Sequence, residues 1–153
     1  MPNYAQGIYQ VRNSGKYIGK RAPKYRSGWE LTFCNFCDND KRIQYWASES
    51  LSITYRHPIT GKPTQYVPDF FIVYQTKAGK NMAEVVEIKP KKQSLLESKA
   101  SARDRIVVAI NHAKWQAARA YCSAHGYTFR VVTEEDLFHT GRDAAIPKRK
   151  RRK

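Results

Sequence analysis

The chain has 153 residues, of which 41% are hydrophobic, and its 28 Lys and Arg against 13 Asp and Glu give a formal net charge of +15. This length fits one domain with its own core and is too short for a catalytic domain beside a second full domain. No apolar run approaches the roughly 20 residues that a membrane span needs, and the first residues lack the apolar stretch of a secretory signal, so we expect a cytosolic protein with no membrane partner.

The basic excess extends along the whole chain. The last six residues read KRKRRK, and removing these six positive charges from +15 still leaves +9. Solubility alone is one explanation, but such an excess favours a phosphate polymer, because each neutralised phosphate releases counterions. We therefore expect double-stranded DNA as a partner. The tail, with Lys148 and Arg149, is predicted to grip DNA or an acidic partner surface; a nuclear localisation signal is the alternative.

Residues 1–26 are rich in Gly, Tyr, Lys and Arg and show no clean periodicity. They are predicted to form an arm that either lies along a DNA backbone or wraps the domain's own surface. Its candidate DNA contacts are Lys16, Lys20 and Arg21. We expect a single domain over residues 27–140 and a basic tail over residues 141–153. Three cysteines, an odd number, argue against a disulfide framework.

The first predicted element of the domain is a helix at residues 27–39. Ser27 is a good N-cap for it, and its apolar residues recur at helical spacing. Strands are then predicted by their Val, Ile, Tyr and Phe content and by the Pro- and Gly-rich turns between them. They cover residues 43–46, 51–56, 65–74 and 83–89.

A long helix is predicted over residues 102–124, ended by Gly126. One apolar stripe marks the face expected to pack on the core: Ile106, Ile110, Ala113, Ala117, Ala120 and Tyr121. A second stripe lies on the opposite side, so this helix is expected to be covered twice: Val108, Trp115 and Cys122. A strand at residues 127–132 and a short helix capped by Thr133 follow. The order of elements predicts a mixed α/β domain with helices packed on a central sheet.

Two of the predicted strands carry the residues that indicate chemistry. The first begins VPDFF, with Asp69, and the second contains VVEIKP, with Glu87 and Lys89. Because strand side chains alternate between faces, Glu87 and Lys89 share a face, and pairing of the two strands lets Asp69 approach Glu87. Two carboxylates there suit a hard cation such as Mg²⁺, and Lys89 can stabilise negative charge on a phosphate.

The alternative for this pattern is an ordinary salt bridge between Lys89 and a carboxylate on a solvated edge, since Glu-x-Lys alone is a weak signal. Charges within apolar strands are costly, however, unless they are paired or bind a metal. The full pattern of Pro-Asp, apolar strand, turn and Glu-x-Lys resembles the PD-(D/E)XK nuclease superfamily. The resemblance implies a restriction-endonuclease-like fold and Mg²⁺-dependent hydrolysis of DNA, with Mn²⁺ as a substitute metal.

Members of that superfamily usually carry an acidic residue on a helix before the strands, and Glu30 resembles it. The alternative is specific, because Ser27-x-x-Glu30 is a capping-box pattern in which Glu30 bonds back to the amide of Ser27. We expect the metal-site role. The resemblance then implies Glu30, Asp69 and Glu87 as metal ligands, with Lys89 as the catalytic lysine.

The succession of motifs over residues 15–133 resembles the TnsA-type transposition endonucleases and, more closely, the small head-completion nucleases of tailed phages. The motifs are Trp29-Glu30, Trp46-Ala-Ser-Glu49, Val67-Pro-Asp-Phe70, Glu87-Ile-Lys-Pro90 and Lys114-Trp115. Transposition members carry an additional partner-binding domain, for which this chain is too short, so the phage branch is favoured.

The phage resemblance implies an endonuclease that acts on DNA during virion assembly in the host cytoplasm. Portal or neck proteins are candidate partners, and the virion is a candidate location. One alternative is a structural DNA-binding head or neck protein with little catalysis. The other is the nuclease subunit of a transposition or restriction system.

Four further side chains receive auxiliary interpretations. Glu49 is either an acid near the metal or a salt-bridge partner. Lys114 and Gln116 either reach a phosphate or lie on a solvated helix shoulder. His57 is expected to be a loop residue rather than a general base.

A zinc site is the alternative metal centre. Cys34-x-x-Cys37 and Cys122-x-x-His125 have the spacing of zinc ligands. The first pair lies inside an aromatic helical pattern, however, and cysteine is commonly buried without a metal. We therefore expect no zinc.

Overall fold

The computed structural model describes residues 6–90, 101–133 and 136. In this part of the chain there are two helices, α1 (Gly28–Asn39) and α2 (Ala102–His125). The strands are β1 (Gly7–Ile8), β2 (Lys24–Tyr25), β3 (Ile43–Ser48), β4 (Ile53–Arg56), β5 (Pro63–Tyr66), β6 (Phe70–Gln75), β7 (Asn81–Ile88) and β8 (Thr128–Val132). Neither described helix has the length and apolar content to cross a membrane.

Four strands form the central sheet, in the order β3-β6-β7-β8. Strand β6 is antiparallel to both β3 and β7, and β8 runs parallel to β7. Phe70 pairs with Val86 in the antiparallel register of β6 and β7. The fold is therefore a single α/β domain with a mixed central sheet flanked by helices, which confirms the predicted class.

The strand predicted over residues 65–74 is wrong as one element. Its first part belongs to β5, which pairs with β4 in a separate hairpin, and its second part is β6 of the central sheet. Pro68 lies at the break, and it has no amide hydrogen to donate to a continuous ladder. Val67 beside it is 45% exposed, which marks where the chain leaves one sheet for the other.

Helix α1 begins where the sequence predicts. The hydroxyl of Ser27 accepts a hydrogen bond from the Glu30 amide at 3.2 Å, which satisfies one of the free donors of the first turn. Its inner face is fully buried and packs with the aromatic residues of the sheet. The core residues there are Phe33, Cys34, Cys37, Trp46, Phe70, Ile72, Val86 and Ile88.

Residues 6–26 wrap the surface of the domain. The Tyr9 hydroxyl donates to Asp38 Oδ2 at 2.7 Å, and the backbone amides of Arg12 and Asn13 donate to the same carboxylate. Backbone hydrogen bonds flank a parallel bridge between Tyr17 and Trp46 on the edge strand β3. Of the two arrangements predicted for the arm, the structure shows the one that covers the domain.

The most buried residues of helix α2 are not those of the stripe predicted to pack on the core. Ile106 in the expected stripe is 45% exposed, whereas the buried residues follow the second stripe: Val108, Asn111, Trp115, Ala118 and Cys122. The physical reason is the β4–β5 hairpin. Trp115 packs with Tyr55 and Tyr66 of the hairpin, in a cluster that β8 also joins, so the side with the largest side chain is the buried one. The residues that flank this stripe are half-buried in the same cluster.

The C-terminal elements are described only in part. Asp136 accepts a hydrogen bond from the Thr133 amide at 2.9 Å. The rest of the short helix predicted after Thr133 and the tail at residues 141–153 lie outside the described residues.

Candidate active site

The pairing of β6 with β7 places Asp69 beside Glu87. Because the register is antiparallel and Phe70 faces Val86, the residue before Phe70 lies across from the residue after Val86. Asp69 Oδ2 accepts a hydrogen bond from the Ile88 amide at 2.8 Å. The structure thus brings together the two carboxylates that the sequence indicated.

Glu87 is held on both carboxylate oxygens and is 5% exposed. The Tyr66 hydroxyl donates to Oε1 at 2.8 Å, and the Lys89 ammonium lies 3.7 Å from Oε2. The Lys89 amide donates to the Val132 carbonyl of β8 at 3.0 Å, which fixes the backbone of the lysine. Its side chain is 28% exposed, so the ammonium faces a site open to solvent.

Glu30 from the first turn of α1 is buried next to this pair. Its Oε1 accepts a hydrogen bond from the Arg26 amide at 3.0 Å. Only one of the two hydrogen bonds of the capping box forms. The Ser27 hydroxyl accepts from the Glu30 amide, but the Glu30 carboxylate accepts from the Arg26 amide instead of the Ser27 amide. The negative charge of Glu30 also acts on Asp69, so three carboxylates share one region.

Burial is the main reason that the carboxyls of this site resist ionisation. Burial, followed by the charges of Glu87 and Glu30, raises the pKa of Asp69 well above its usual value. Burial also raises the pKa of Glu87, although Lys89 and the Tyr66 hydroxyl act in the opposite direction. The pKa of Glu30 is raised, again chiefly by burial. A bound cation would offset the burial of these charges and the repulsion that acts on Asp69 and Glu30.

The donor set fits Mg²⁺ better than zinc. Within the described ranges, no three His, Cys, Asp or Glu side chains form a group that could hold a metal, so the structure does not bring Glu30, Asp69 and Glu87 together as a set of three ligands. Mg²⁺ usually takes one or two carboxylates and completes its shell with water and substrate oxygens, and the pair Asp69 and Glu87 meets that need. Cys34 and Cys37, proposed for the zinc alternative, are buried free cysteines in the core face of α1.

Of the two polar residues predicted on α2, Lys114 lies near the carboxylates, because its ammonium is 5.5 Å from the ring centroid of Tyr66, whose hydroxyl donates to Glu87. Burial, and then the charge of Lys89, lowers the pKa of Lys114. The charges of Glu87 and Asp69 also act on it. Gln116 follows two residues later, about 200° around the helix, and lines an open cavity beside His112 and Arg119.

Glu49 and Arg26 border the site. The Arg26 guanidinium donates to both carboxylate oxygens of Glu49, at 3.0 and 3.3 Å. Glu49 has a positive φ of 50°, an unusual conformation for a residue other than glycine. Its amide donates to the Asp69 carbonyl at 2.9 Å. Glu49 is thus a salt-bridge partner, and its backbone also holds Asp69.

The candidate DNA contacts of the arm divide into two kinds. The Lys16 ammonium donates to the carbonyls of Asp38 and Asp40 at 3.0 and 2.9 Å, so it caps the end of α1. Lys20 and Arg21 are exposed. The tail residues assigned the same role lie outside the described residues: Lys148 and Arg149.

Tyr66 is a site residue that the sequence pattern does not reveal. A tyrosine inside the continuous strand predicted over residues 65–74 is expected to be part of the core. The signal available is Pro68, which breaks that strand between Tyr66 and Asp69. His57 lies in the hairpin turn, where its Nδ1 accepts hydrogen bonds from the amides of Ile59 and Thr60.

The family model described as TnsA-like endonuclease N terminal matches residues 40–134. The chain belongs to the TnsA-like endonuclease family. The matched segment of this TnsA-like chain contains Asp69, Glu87 and Lys89 and begins after Glu30. The head completion nuclease of Enterobacteria phage T4 is 31% identical over 144 residues, which cover 86% of this chain and 92% of that protein. The resemblance carried by the sequence motifs is confirmed, and membership gives the chain a nuclease role.

Proposed function

We propose that the chain is a Mg²⁺-dependent DNA endonuclease, with Mn²⁺ as a substitute metal. The observation that carries the proposal is the buried pair Asp69 and Glu87, raised in pKa, with the Lys89 ammonium 3.7 Å from Glu87. This combination suits a hard cation and places a fixed positive charge beside it. Both are what phosphodiester hydrolysis requires.

Each residue has a distinct part in the proposed reaction. When bound, Mg²⁺ polarises a phosphate oxygen and lowers the pKa of a coordinated water. Asp69 and Glu87 hold the ion, and the Ile88 amide keeps the Asp69 carboxylate in place. Lys89 stabilises the charge that develops on the phosphate. Glu30 adds negative charge next to the pair, which strengthens attraction for the cation.

The proposed substrate is double-stranded DNA, recognised through its phosphates. The net charge of +15 supplies attraction that does not depend on sequence. Lys20 and Arg21 are exposed cations on the arm, and Lys114 of α2 lies near the carboxylates. These residues, with Lys148 and Arg149, are the proposed phosphate contacts.

The test is cleavage of supercoiled and linear DNA in Mg²⁺, with EDTA and Asp69→Ala as controls. We expect nicking or linearisation of the plasmid by the wild-type protein and none by either control. Removal of one metal ligand should lower the rate at least about 100-fold. Equal cleavage by Asp69→Ala, or no cleavage under any condition, would contradict the proposal.

We also propose that the enzyme acts in phage head completion in the host cytoplasm, with portal or neck proteins as candidate partners and the virion as a candidate location. The similarity to the T4 head completion nuclease over 92% of that protein favours this over a transposition or restriction role. A complementation test distinguishes the catalytic role from the structural alternative. Rescue of a phage that lacks its own head completion nuclease by the wild-type chain but not by Asp69→Ala supports a catalytic role, whereas rescue by both supports a structural one.

A further inference from the structure

Tyr66 links the hairpin to the proposed metal site. It is the last residue of β5, is 4% exposed, and donates its hydroxyl hydrogen to Glu87 Oε1 at 2.8 Å. A buried tyrosine hydroxyl needs a partner, and a buried carboxylate needs donors. Each group therefore fixes the other.

This hydrogen bond constrains the Glu87 carboxylate. Oε1 points at Tyr66, and Oε2 is the oxygen that lies 3.7 Å from Lys89. With one oxygen hydrogen-bonded to Tyr66 and the other beside the Lys89 ammonium, the carboxylate is oriented before any cation binds. Carboxylates that hold metals are commonly oriented by such hydrogen bonds, and loss of the partner weakens metal binding or activity.

The ring of Tyr66 is itself fixed from two sides. It packs in the cluster formed by Ile53 and Tyr55 of the hairpin and Trp115 of α2. The Lys114 ammonium lies 5.5 Å from the ring centroid, within the range of a cation–π contact. The same aromatic residue thus contacts an acid of the site and a cation that lies near it.

We infer that Tyr66 is a positioning residue, which holds the Glu87 carboxylate in the orientation that takes the cation and supports Lys114 beside it. The inference rests on the proposed function, because it concerns the same site. The β4–β5 hairpin then has a role in the proposed metal site as well as in packing. The hairpin carries the donor that orders Glu87, so its docking on α2 sets the metal site.

The test compares Tyr66→Phe with the matched variant Tyr55→Phe in the full chain. Tyr66→Phe keeps the ring, its packing and the contact with Lys114, and removes only the hydroxyl. Tyr55 is buried in the same cluster, on the partner strand of the hairpin. The readouts are the Mn²⁺ dissociation constant by calorimetry, with circular dichroism to verify folding, and the rate and KM of DNA cleavage.

We expect Tyr66→Phe to bind Mn²⁺ about 10-fold more weakly than the wild type, with slower cleavage and an unchanged KM for DNA. Tyr55→Phe should match the wild type in both readouts. If Tyr66→Phe binds Mn²⁺ and cleaves as the wild type does, the inference is overturned while the nuclease proposal stands. An equal defect in Tyr55→Phe would assign the effect to packing and overturn it too. A wild-type protein that neither binds Mn²⁺ nor cleaves DNA overturns both.

Discussion

At the scale of single residues, Asp69 shows a conflict between its proposed role as a metal ligand and the stability of the fold. It accepts a hydrogen bond from the Ile88 amide, but burial and two neighbouring carboxylates raise its pKa well above the usual value. A carboxyl whose pKa is raised by folding destabilises the fold when it ionises. The protonated form favours the fold at low pH, and that benefit is lost as the pH rises through the raised pKa.

Asp69→Asn should therefore stabilise the protein in EDTA at neutral pH. The amide oxygen can still accept from Ile88, and the buried charge is gone. The stability gap between variant and wild type should close as the pH falls to about 4, the ordinary carboxyl pKa, and open as it rises. Each kcal/mol gained raises Tm by about 2–4 °C, measured by thermal unfolding. The exposed Asp104→Asn is the comparison, and because Asp104 lies in the first turn of α2 it should lose up to about 1 kcal/mol. A lower Tm for Asp69→Asn than for the wild type at pH 7 would contradict this expectation.

Two variants distinguish a metal-site role of Glu30 from a structural role in the first turn of α1. Glu30→Gln keeps an oxygen that can accept from the Arg26 amide but removes the charge, so we expect the Mg²⁺ concentration for half-maximal cleavage to rise about 10-fold. Ser27→Ala removes the helix cap and keeps the charge. It should cost about 1 kcal/mol of stability and leave the Mg²⁺ dependence unchanged. A Glu30→Gln variant with wild-type Mg²⁺ dependence would restrict Glu30 to a structural role.

At the scale of elements, the sequence predicts α1, β7 and α2 well because each has a strong local pattern and clear ends. Ser27 starts α1, Gly126 ends α2 with φ 77°, and Pro90 follows β7. The place of the β4–β5 hairpin is not predictable in this way, because its docking depends on contacts distant in sequence. That docking decides which stripe of α2 is buried.

The candidate site, like the fold, is predictable from the sequence only in part. Asp69, Glu87 and Lys89 follow from strand alternation and the antiparallel pairing of neighbouring strands. Tyr66 and Arg26 do not, since no local motif marks them. Their roles arise from a break at Pro68 and from the wrapping of the arm, both of which are properties of the folded chain.

Asp38 binds three residues of the arm over residues 6–26, and this contact can be tested. Burial acts to raise the pKa of Asp38, but hydrogen bonds from Arg12, Tyr9 and Asn13 outweigh it and hold the pKa below its usual value. The contribution of Asp38 to stability is therefore present above the ordinary carboxyl pKa and is lost as the pH falls through the lowered one.

Asp38→Ala should release the arm at neutral pH. It leaves the Arg12 and Asn13 amides and the Tyr9 hydroxyl without their acceptor, which destabilises the fold by at least about 2 kcal/mol. The expected readout is faster hydrogen exchange at the Ile18 amide, which donates to Trp46. The exposed Asp104→Ala is the matched control. Protection at Ile18 that is the same in Asp38→Ala and wild type would show that the arm is held elsewhere.

At the scale of the whole molecule, the basic charge is the feature that the sequence establishes most fully, and its use in DNA binding is open to a quantitative test. Deleting residues 148–153 should weaken DNA affinity and reduce the steepness of its salt dependence, by about 0.9 in log–log slope for each phosphate that the tail neutralises. Filter binding in Ca²⁺ over a salt series measures it. An unchanged slope would show that the tail neutralises no DNA phosphate and would contradict its proposed role.

In the proposed enzyme, Asp69 and Glu87 hold the cation while Lys89 acts in the chemical step. The most direct measurement of this division is Mn²⁺ calorimetry and plasmid cleavage on the same preparations of Asp69→Asn, Lys89→Met and the exposed control Lys80→Met. We predict that Asp69→Asn loses Mn²⁺ binding and cleavage together. Lys89→Met should bind Mn²⁺ but cleave at least about 100-fold more slowly, and Lys80→Met should match the wild type. Wild-type Mn²⁺ affinity in Asp69→Asn, or wild-type cleavage by Lys89→Met, would contradict these assignments.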